Sequence, residues 1–146
     1  MVQNPPEGYH TVTPYLIVEG AKDMFAFAEK AFGAKLRGEM MEDPRHGVVG
    51  HAEMQIGSSA IMFADSMEGF PPTNVMLHLY VDDVDKVHAA ALAAGATLDR
   101  PVEDQFYGDR SGSVKDAWGT TWYVATHIED VSMEEMGKRM AEMADA

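Results

Sequence analysis

The sequence predicts an α+β fold: two tandem βαβββ modules forming a half-open eight-stranded barrel, followed by a C-terminal helix. A short strand followed by a helix occurs twice, each helix precedes three strand-like runs, and the two halves keep a nearly constant spacing. The chain of 146 residues suits a single domain. Its expected parts are module 1 at about 10–66, module 2 at about 74–128 and the C-terminal helix at about 132–144.

The first module begins with the strand "TPYLIV", 13–18, which is rich in β-branched and aromatic residues. The helix after it has an apolar stripe at i, i+3, i+4 and i+7, formed by Met24, Phe27, Ala28 and Ala31. Gly33 then supplies the left-handed residue with which helices commonly end. Three strand-like runs follow, at 35–41, 48–56 and 59–65.

The second module repeats this order. It has the strand "MLHLYV" at 76–81, a helix with the stripe Val84, Val87, Ala91 and Leu92, and strand-like runs at 97–107, 111–116 and 120–127. Val18 and Val81 are 63 residues apart, and Gly57 and Gly119 are 62 apart. Because one such unit leaves a sheet face uncovered, the two units are expected to meet.

Charge and composition exclude several classes of partner. The 24 acidic and 11 basic side chains give a net charge of −13, which would repel nucleic acid and an anionic membrane surface alike. Cysteine is absent, so thiolate metal sites and disulfides are excluded. No long apolar run or export signal is visible, and we expect a cytoplasmic protein with no membrane partner.

The alternation of side chains along each strand predicts which residues face the barrel cavity. The expected polar set is His51, Glu53, His78 and Lys115, and the expected aromatic set is Tyr15, Phe63, Tyr80 and Tyr123. The mixture is typical of a small-molecule site. His51 and Glu53 are the candidate catalytic acid and base, and the alternative for them is a hydrogen-bonded pair on a polar sheet face. In the second repeat, an offset of 62 places Ser113 and Lys115 in the equivalent positions.

The stretch "EDQFYGDRSGSVKDAWGTTW", 103–122, adds two candidate ligand-binding residues beside predicted turns. Gly108 and Gly112 bracket a predicted turn, and "DAWG" predicts the next one. We expect Tyr107 to stack on or hydrogen-bond a ligand. Arg110 either clamps an anionic group or forms surface ion pairs with Asp109 or Asp116. Trp122 is expected in the core.

The segments "TPYLIVEGAKDMFAFAEKAFGA", "GHAEMQIG", "YVDDVDKV" with "AGA", and "FYGDRSGSVKDAWGTTW" resemble the glyoxalase and bleomycin-resistance superfamily, and more narrowly its PhnB-like branch. The resemblance covers roughly residues 10 to 130. It implies a vicinal-oxygen-chelate fold, usually dimeric. Members of that superfamily include metal-dependent lyases, dioxygenases, thiol transferases and metal-free drug-binding proteins.

The resemblance also implies positions for metal ligands, on the first and last strand of each repeat. In this sequence they hold Thr13, Ile61, Met76 and Tyr123, within a register error of one. None of these is a good ligand for a divalent cation, so no cofactor is predicted. The alternative is a divalent metal in a displaced site formed by His51, Glu53 and His78.

The tail "SMEEMGKRMAEM" predicts a helix. Ser132 and Glu135 have capping-box spacing, and one helical face carries methionines at 133, 136, 140 and 143. This methionine stripe should cover the body of its own chain or that of a second copy, and we expect a homodimer.

Three functions remain open from the sequence. The first is a metal-independent protein that binds a small molecule and transfers a proton or acts as a lyase. The second is a metal-dependent lyase or dioxygenase with the displaced site. The third is an antibiotic-sequestering protein, although Lys115 and Arg110 inside the cavity would disfavour a cationic guest.

Overall fold

The computed structural model describes residues 1–146, and three helices and nine strands follow one another along the chain. In chain order they are β1 (Tyr15–Val18), α1 (Ala21–Phe32), β2 (Lys35–Leu36), β3 (Met41–Asp43), β4 (Val48–Ile56), β5 (Ser59–Asp65), β6 (Val75–Tyr80), α2 (Val84–Ala93), β7 (Thr97–Asp104), β8 (Asp109–Lys115), β9 (Thr120–His127) and α3 (Met133–Ala144).

The strands form two sheets, one for each module. The first has the order β1-β5-β4-β2, with β3 also on β4, and the second has the order β6-β9-β8-β7. In both sheets the first strand of the module runs parallel to the last one, β1 beside β5 and β6 beside β9. The paired βαβββ architecture is therefore confirmed, and the sheets curve without closing a barrel. The expected strand at 35–41 is instead two short strands, β2 and β3.

Each of the first two helices begins against the last strand of its own module. Asp65, at the end of β5, accepts hydrogen bonds from the backbone N–H groups of Gly20 and Ala21 at the start of α1. Thr126, near the end of β9, accepts one from Val84 at the start of α2. These hydrogen bonds satisfy backbone N–H groups that the start of a helix leaves without an intrahelical partner. Asp65 and Thr126 occupy equivalent positions on the last strand of each module, so the helix start is held in the same way in both modules.

One hydrophobic core joins the two modules. The predicted stripe of α1 is buried, and its residues Met24, Ala28 and Ala31 pack in the same cluster as Phe63 of β5 and Trp122 of β9. The Phe32 ring at the end of α1 lies 4.6 Å from the Trp122 ring, centroid to centroid. Trp122 is fully buried, which confirms that prediction. Because both sheets turn their apolar faces to this shared core, their polar faces point outward.

One of the two turns predicted within residues 103–122 is confirmed and the other is wrong. "DAWG" does form the connection between β8 and β9, where the Asp116 carboxylate accepts hydrogen bonds from the backbone N–H groups of Trp118 and Thr120 and from the Trp122 indole. The turn expected between Gly108 and Gly112 is wrong, because residues 109–115 belong to strand β8. The turn lies just before β8, at residues 105–108, where the Gly108 N–H donates to the Gln105 carbonyl.

Helix α3 is present as predicted, and Ser132 caps it by accepting the Glu135 N–H. Of the two alternatives for its methionine stripe, packing against the body of its own chain is not found for most of the stripe. Met133 is 81% exposed, Met140 57% and Met143 59%. Arg139 holds the helix to the body through the Phe106 carbonyl. None of the three helices is both long and apolar enough to cross a membrane.

Candidate functional site

A chain of three side chains lies on the outward face of the first sheet. The Tyr15 hydroxyl is 2.8 Å from His51 Nδ1, and His51 Nε2 is 2.9 Å from Glu53 Oε2. We call these three residues the Tyr15 relay. The His51–Glu53 hydrogen bond that was considered as the alternative to a catalytic role is present, and the phenol that extends it comes from β1, thirty-six residues earlier in the sequence.

Strand alternation and ladder register place the relay. In β4, Ala52 and Met54 point to the core, so His51 and Glu53 point outward. Met62 of β5 stands between the relay strands, with Tyr15 as its partner on one side and Glu53 on the other. The three relay side chains therefore come from two strands that flank β5.

The hydrogen bonds define the proton arrangement. A carboxylate only accepts, so Glu53 fixes the His51 proton on Nε2 and leaves Nδ1 as the acceptor of the Tyr15 hydroxyl proton. Burial raises the pKa of the Tyr15 phenol above its ordinary value, which keeps it neutral. The tyrosine oxygen thus keeps lone pairs that face away from His51.

A cavity of about 410 Å³ opens beside Tyr15. We call it the Tyr15 pocket. It is lined by Tyr15, Ile17, Gly50, Ala64, Asp65, Met67 and Phe70. Met67 and Phe70 lie between the two modules predicted at about 10–66 and 74–128, and no sequence pattern indicated that they would line a pocket.

The outward face of the second sheet carries a separate set of predicted residues. His78 is flanked by Tyr80, with ring centroids 4.9 Å apart, and by Tyr123 at 6.3 Å. Tyr107 and Tyr123 line a polar cavity of about 210 Å³. Lys115 is on this face, and its ammonium is 3.9 Å from Asp99. The single cavity expected from the sequence is thus divided between two sheets that face away from one core.

The largest cavity, of about 640 Å³, lies elsewhere, in the cleft between the modules along β6. His78 and Tyr80 reach it, but none of the three relay residues lines it. We therefore do not choose this cavity as the candidate site on its volume alone, because the hydrogen-bonded ionisable groups of the first sheet lie beside the smaller Tyr15 pocket.

Two predicted ligand-binding residues are not at any ligand site in this chain. Phe63 is fully buried and stacks on Phe25 of α1, because β5 turns Ile61 and Phe63 to the helix and Met62 outward. Arg110 points to the helix side of its sheet and makes a bidentate ion pair with Asp85 of α2.

A second partner of Arg110 is Asp104. The ion-pair alternative for Arg110 is therefore correct, but with Asp85 and Asp104 rather than Asp109 or Asp116. With Arg110 outside the site and Lys115 beside Asp99, the expected argument against a cationic guest loses its basis.

The register of the second repeat also needs correction. Glu53 pairs with Met62, and the corresponding pair in the second sheet is Ser113 with Tyr123. The counterparts of His51 and Glu53 are consequently Ser111 and Ser113, two positions before the expected ones. The second module has no imidazole or carboxylate at these ladder positions.

A further chain of polar residues was missed by the sequence reasoning. The buried Asp109 carboxylate accepts the Tyr80 hydroxyl at 2.9 Å and contacts His127 Nδ1 at 2.8 Å, while His127 Nε2 contacts Asp130 at 2.8 Å. Both carboxylates raise the pKa of His127, Asp130 more than Asp109. Continuing the outward alternation of β9 from Tyr123 by two steps would have pointed to His127.

The residues present do not fit a metal. Ile61 faces the core, and the one-residue shift that the register allows brings the thioether of Met62 to that position. Thioether and neutral hydroxyl oxygens are poor ligands for a hard or borderline divalent cation. No group of three His, Asp or Glu side chains in the chain converges as a metal site requires. The displaced site of His51, Glu53 and His78 is therefore not assembled within one subunit.

Comparison with known proteins agrees with the fold. Residues 9–124 match the family model of the Glyoxalase/Bleomycin resistance protein/Dioxygenase superfamily. The uncharacterized protein Rv0887c of Mycobacterium tuberculosis H37Rv is 32% identical over 145 residues, which cover 92% of this chain and 84% of that protein.

Two solved structures show a similar fold. Protein PA1353 from Pseudomonas aeruginosa has a TM-score of 0.65 at 23% identity, with 82% of this chain and 99% of that chain covered. The PhnB protein from Bacillus cereus has a TM-score of 0.66 at 18% identity, with 80% and 99% covered. The family model spans most of the sequence, and the architecture agrees with it. The chain belongs to the glyoxalase/bleomycin resistance protein/dioxygenase superfamily.

Proposed function

We propose that the protein binds a small molecule against the outward face of its first sheet and transfers a proton to or from it through the Tyr15 relay. The observation that carries this proposal is the unbroken hydrogen-bonded chain from Tyr15 through His51 to Glu53 beside the Tyr15 pocket. A positioned acid or base typically contributes about 10²- to 10⁴-fold to a rate.

The relay works as a base when His51 is neutral. The Tyr15 oxygen takes a proton from the bound molecule while the phenol proton moves to His51 Nδ1, and the resulting imidazolium is stabilised by the Glu53 carboxylate. In the opposite direction, protonated His51 gives its Nδ1 proton to Tyr15 as Tyr15 gives its own to the ligand. The phenol stays neutral before and after each step, which agrees with its raised pKa.

No metal takes part in the proposed reaction, because the side chains at the ligand positions that the superfamily resemblance implies are poor ligands for a divalent cation. A proton transfer at a carbon next to a carbonyl is the simplest reaction that the relay alone can support. Sequestration without chemistry is the competing function, and the same pocket would serve it.

Proton exchange on a small ketone tests the function directly. We expect the protein to accelerate hydrogen–deuterium exchange at the methyl group of 2-acetonaphthone in D₂O, followed by NMR. Tyr15→Phe, His51→Ala and Glu53→Gln should each lower the catalysed rate by roughly 10²-fold. Tyr9→Phe is the matched control, since Tyr9 lies under the Arg37 guanidinium, outside the relay. Binding of the ketone with equal exchange rates in all four variants would favour sequestration.

We also propose that the working form is a homodimer. Large apolar side chains remain open on the second sheet and on α3, among them Met76 at 62% exposed, Tyr80 at 66% and Met133 at 81%. Met76 and Tyr80 lie on the same face of β6, and an exposed apolar patch often marks a surface that another protein covers. Sedimentation equilibrium should give twice the 16.0 kDa monomer mass, and a concentration-independent mass equal to the monomer would contradict the proposal.

A further inference from the structure

The walls of the Tyr15 pocket are apolar. Ile17 and Ala64, which are ladder partners on β1 and β5, both line it. Met67 and Phe70 form one side, and their backbones exchange two hydrogen bonds, of 3.2 and 2.9 Å, across a tight turn. A wall closed by its own hydrogen bonds is set before a ligand arrives, which lowers the entropy lost on binding.

The only charged group that lines the pocket is already compensated. Asp65 Oδ1 accepts the N–H groups of Gly20 and Ala21, at 3.1 and 2.7 Å, and its Oδ2 accepts the N–H of Val49 at 2.7 Å. Its negative charge also lies at the start of α1, where the helix dipole is positive. The carboxylate therefore has little attraction left for a cationic ligand, and the helix start has none left for an anionic one.

Tyr15 supplies the polar contact of the pocket. Its hydroxyl is bonded to His51, and its pKa is raised, so it presents a neutral oxygen to the ligand. A charged ligand would have to leave water for a pocket of about 410 Å³ that has no positive group and whose one carboxylate, Asp65, already accepts three backbone hydrogen bonds. A neutral ligand loses much less hydration energy than an ion, and a hydrogen on the carbon beside its carbonyl can face the lone pairs of the Tyr15 oxygen.

We infer that the Tyr15 pocket selects a neutral, largely apolar molecule, such as a carbonyl compound whose α-hydrogen can face the Tyr15 oxygen, and rejects organic anions and cations of the same size. This selectivity rests on the proposed function only for the location of the site. It follows from the pocket walls and holds whether or not the relay transfers a proton.

Three probes with the same naphthalene ring test the selectivity: 2-acetonaphthone, 2-naphthoate and trimethyl(2-naphthylmethyl)ammonium. Binding is followed by NMR through the methyl signals of Ile17, Ala64 and Met67. We expect the ketone to bind at least about 10-fold more tightly than either ion, a difference of about 1.4 kcal/mol. Either ion binding as tightly as the ketone would overturn the inference, and so would absence of ketone binding.

A pair of substitutions locates the effect. Phe70, 58% exposed, lines the pocket, and Leu98, 52% exposed, lies on the second sheet. Phe70→Ser should weaken ketone binding about 5- to 10-fold because it removes apolar contact area, whereas Leu98→Ser should leave binding unchanged. Equal effects of the two would overturn the assignment to this pocket.

Failure of the selectivity and failure of the proposed function give different results. If the relay is inactive, the ketone still binds selectively but its exchange is unaffected by His51→Ala. If the selectivity is wrong, the ions compete with the ketone, while any exchange still depends on His51.

Discussion

The turn that joins β8 to β9 depends on one carboxylate, and this dependence can be measured. Asp116 accepts three hydrogen bonds: from the backbone N–H of Trp118 at 2.8 Å, from that of Thr120 at 3.0 Å and from the Trp122 indole N–H at 2.9 Å. Asp116→Asn keeps Oδ1 for the two backbone bonds and places an NH₂ group opposite the indole N–H. One buried donor thus loses its acceptor.

Leaving a buried donor without a partner costs about 1–3 kcal/mol, and bonds to charged groups lie at the upper end of that range. We therefore expect Asp116→Asn to lower the free energy of unfolding by about 2 kcal/mol. Asp116→Ala, which removes all three acceptor contacts, should lower it by about 4 kcal/mol. In a chain of this length, 2 kcal/mol corresponds to a decrease in Tm of roughly 4–8 °C.

Urea unfolding followed by tryptophan fluorescence, at a fixed protomer concentration, gives these values. The decisive comparison repeats Asp116→Asn in a Trp122→Phe background, where no indole N–H is present. There the substitution should lower the unfolding free energy by only about 0.5 kcal/mol, so the coupling should be roughly 1.5 kcal/mol. Equal losses in the two backgrounds would refute the assignment of the indole bond.

Three further predictions concern other ionisable groups. Both neighbouring carboxylates raise the pKa of His127. The stabilisation that His127 provides should therefore be complete below about pH 6.5, the ordinary pKa of histidine, and should be lost as the pH rises through the raised pKa. Urea unfolding of wild type and His127→Gln across pH 5–9 should show a difference in unfolding free energy that shrinks as the pH rises. Arg110→Gln should lower the free energy of unfolding only slightly, because solvent screens its contacts with Asp85 and Asp104. It should leave 2-acetonaphthone binding unchanged in an NMR titration, and weaker binding would return Arg110 to the candidate site. Dialysis against EDTA should change the Tm by less than about 1 °C, and elemental analysis showing one divalent metal per subunit, lost in Glu53→Gln, would contradict the absence of a metal site.

Periodicity was enough to predict the architecture, because both the strand period and the helix period leave a clear apolar pattern. The α1 stripe is buried as expected, and Val84 and Ala91 of the α2 stripe are buried as well. In β6, Leu77 and Leu79 are more buried than Met76 and Tyr80. The alternation argument failed at β5, where Ala60, Ile61, Phe63 and Ala64 are all buried and no polar residue marks the outward face.

The arrangement of the candidate site was predicted in part. Alternation on one strand identified His51 and Glu53, but no local pattern shows that Tyr15 reaches them, since that contact depends on the parallel pairing of β1 with β5. The Arg110 partners were wrong for a similar reason. The sequence showed nearby aspartates, and the fold brought Asp85 from a helix twenty-five residues away.

The two modules differ where the fold allows it. The position at which the last strand meets the helix start holds Asp65 in one module and Thr126 in the other, and both residues accept a helix N–H. A side-chain acceptor is required there because the helix start leaves free donors.

The outward faces of the two sheets have no backbone donors of a helix start to satisfy, so their side chains can differ between the modules. Tyr15 and His78 stand beside equivalent partners on the last strands, Met62 and Tyr123, yet only Tyr15 joins an imidazole and a carboxylate. In the second module, Ser111 and Ser113 replace that acid–base pair, and aromatic rings cover the face instead. The two repeats are thus alike on the helix side. On the outward side, only the first sheet joins an imidazole and a carboxylate at these ladder positions, since the Asp109–His127 pair of the second sheet lies further along its ladder, at the ends of β8 and β9. This division of roles is the physical reason to look for chemistry at Tyr15 rather than at the larger cleft between the modules.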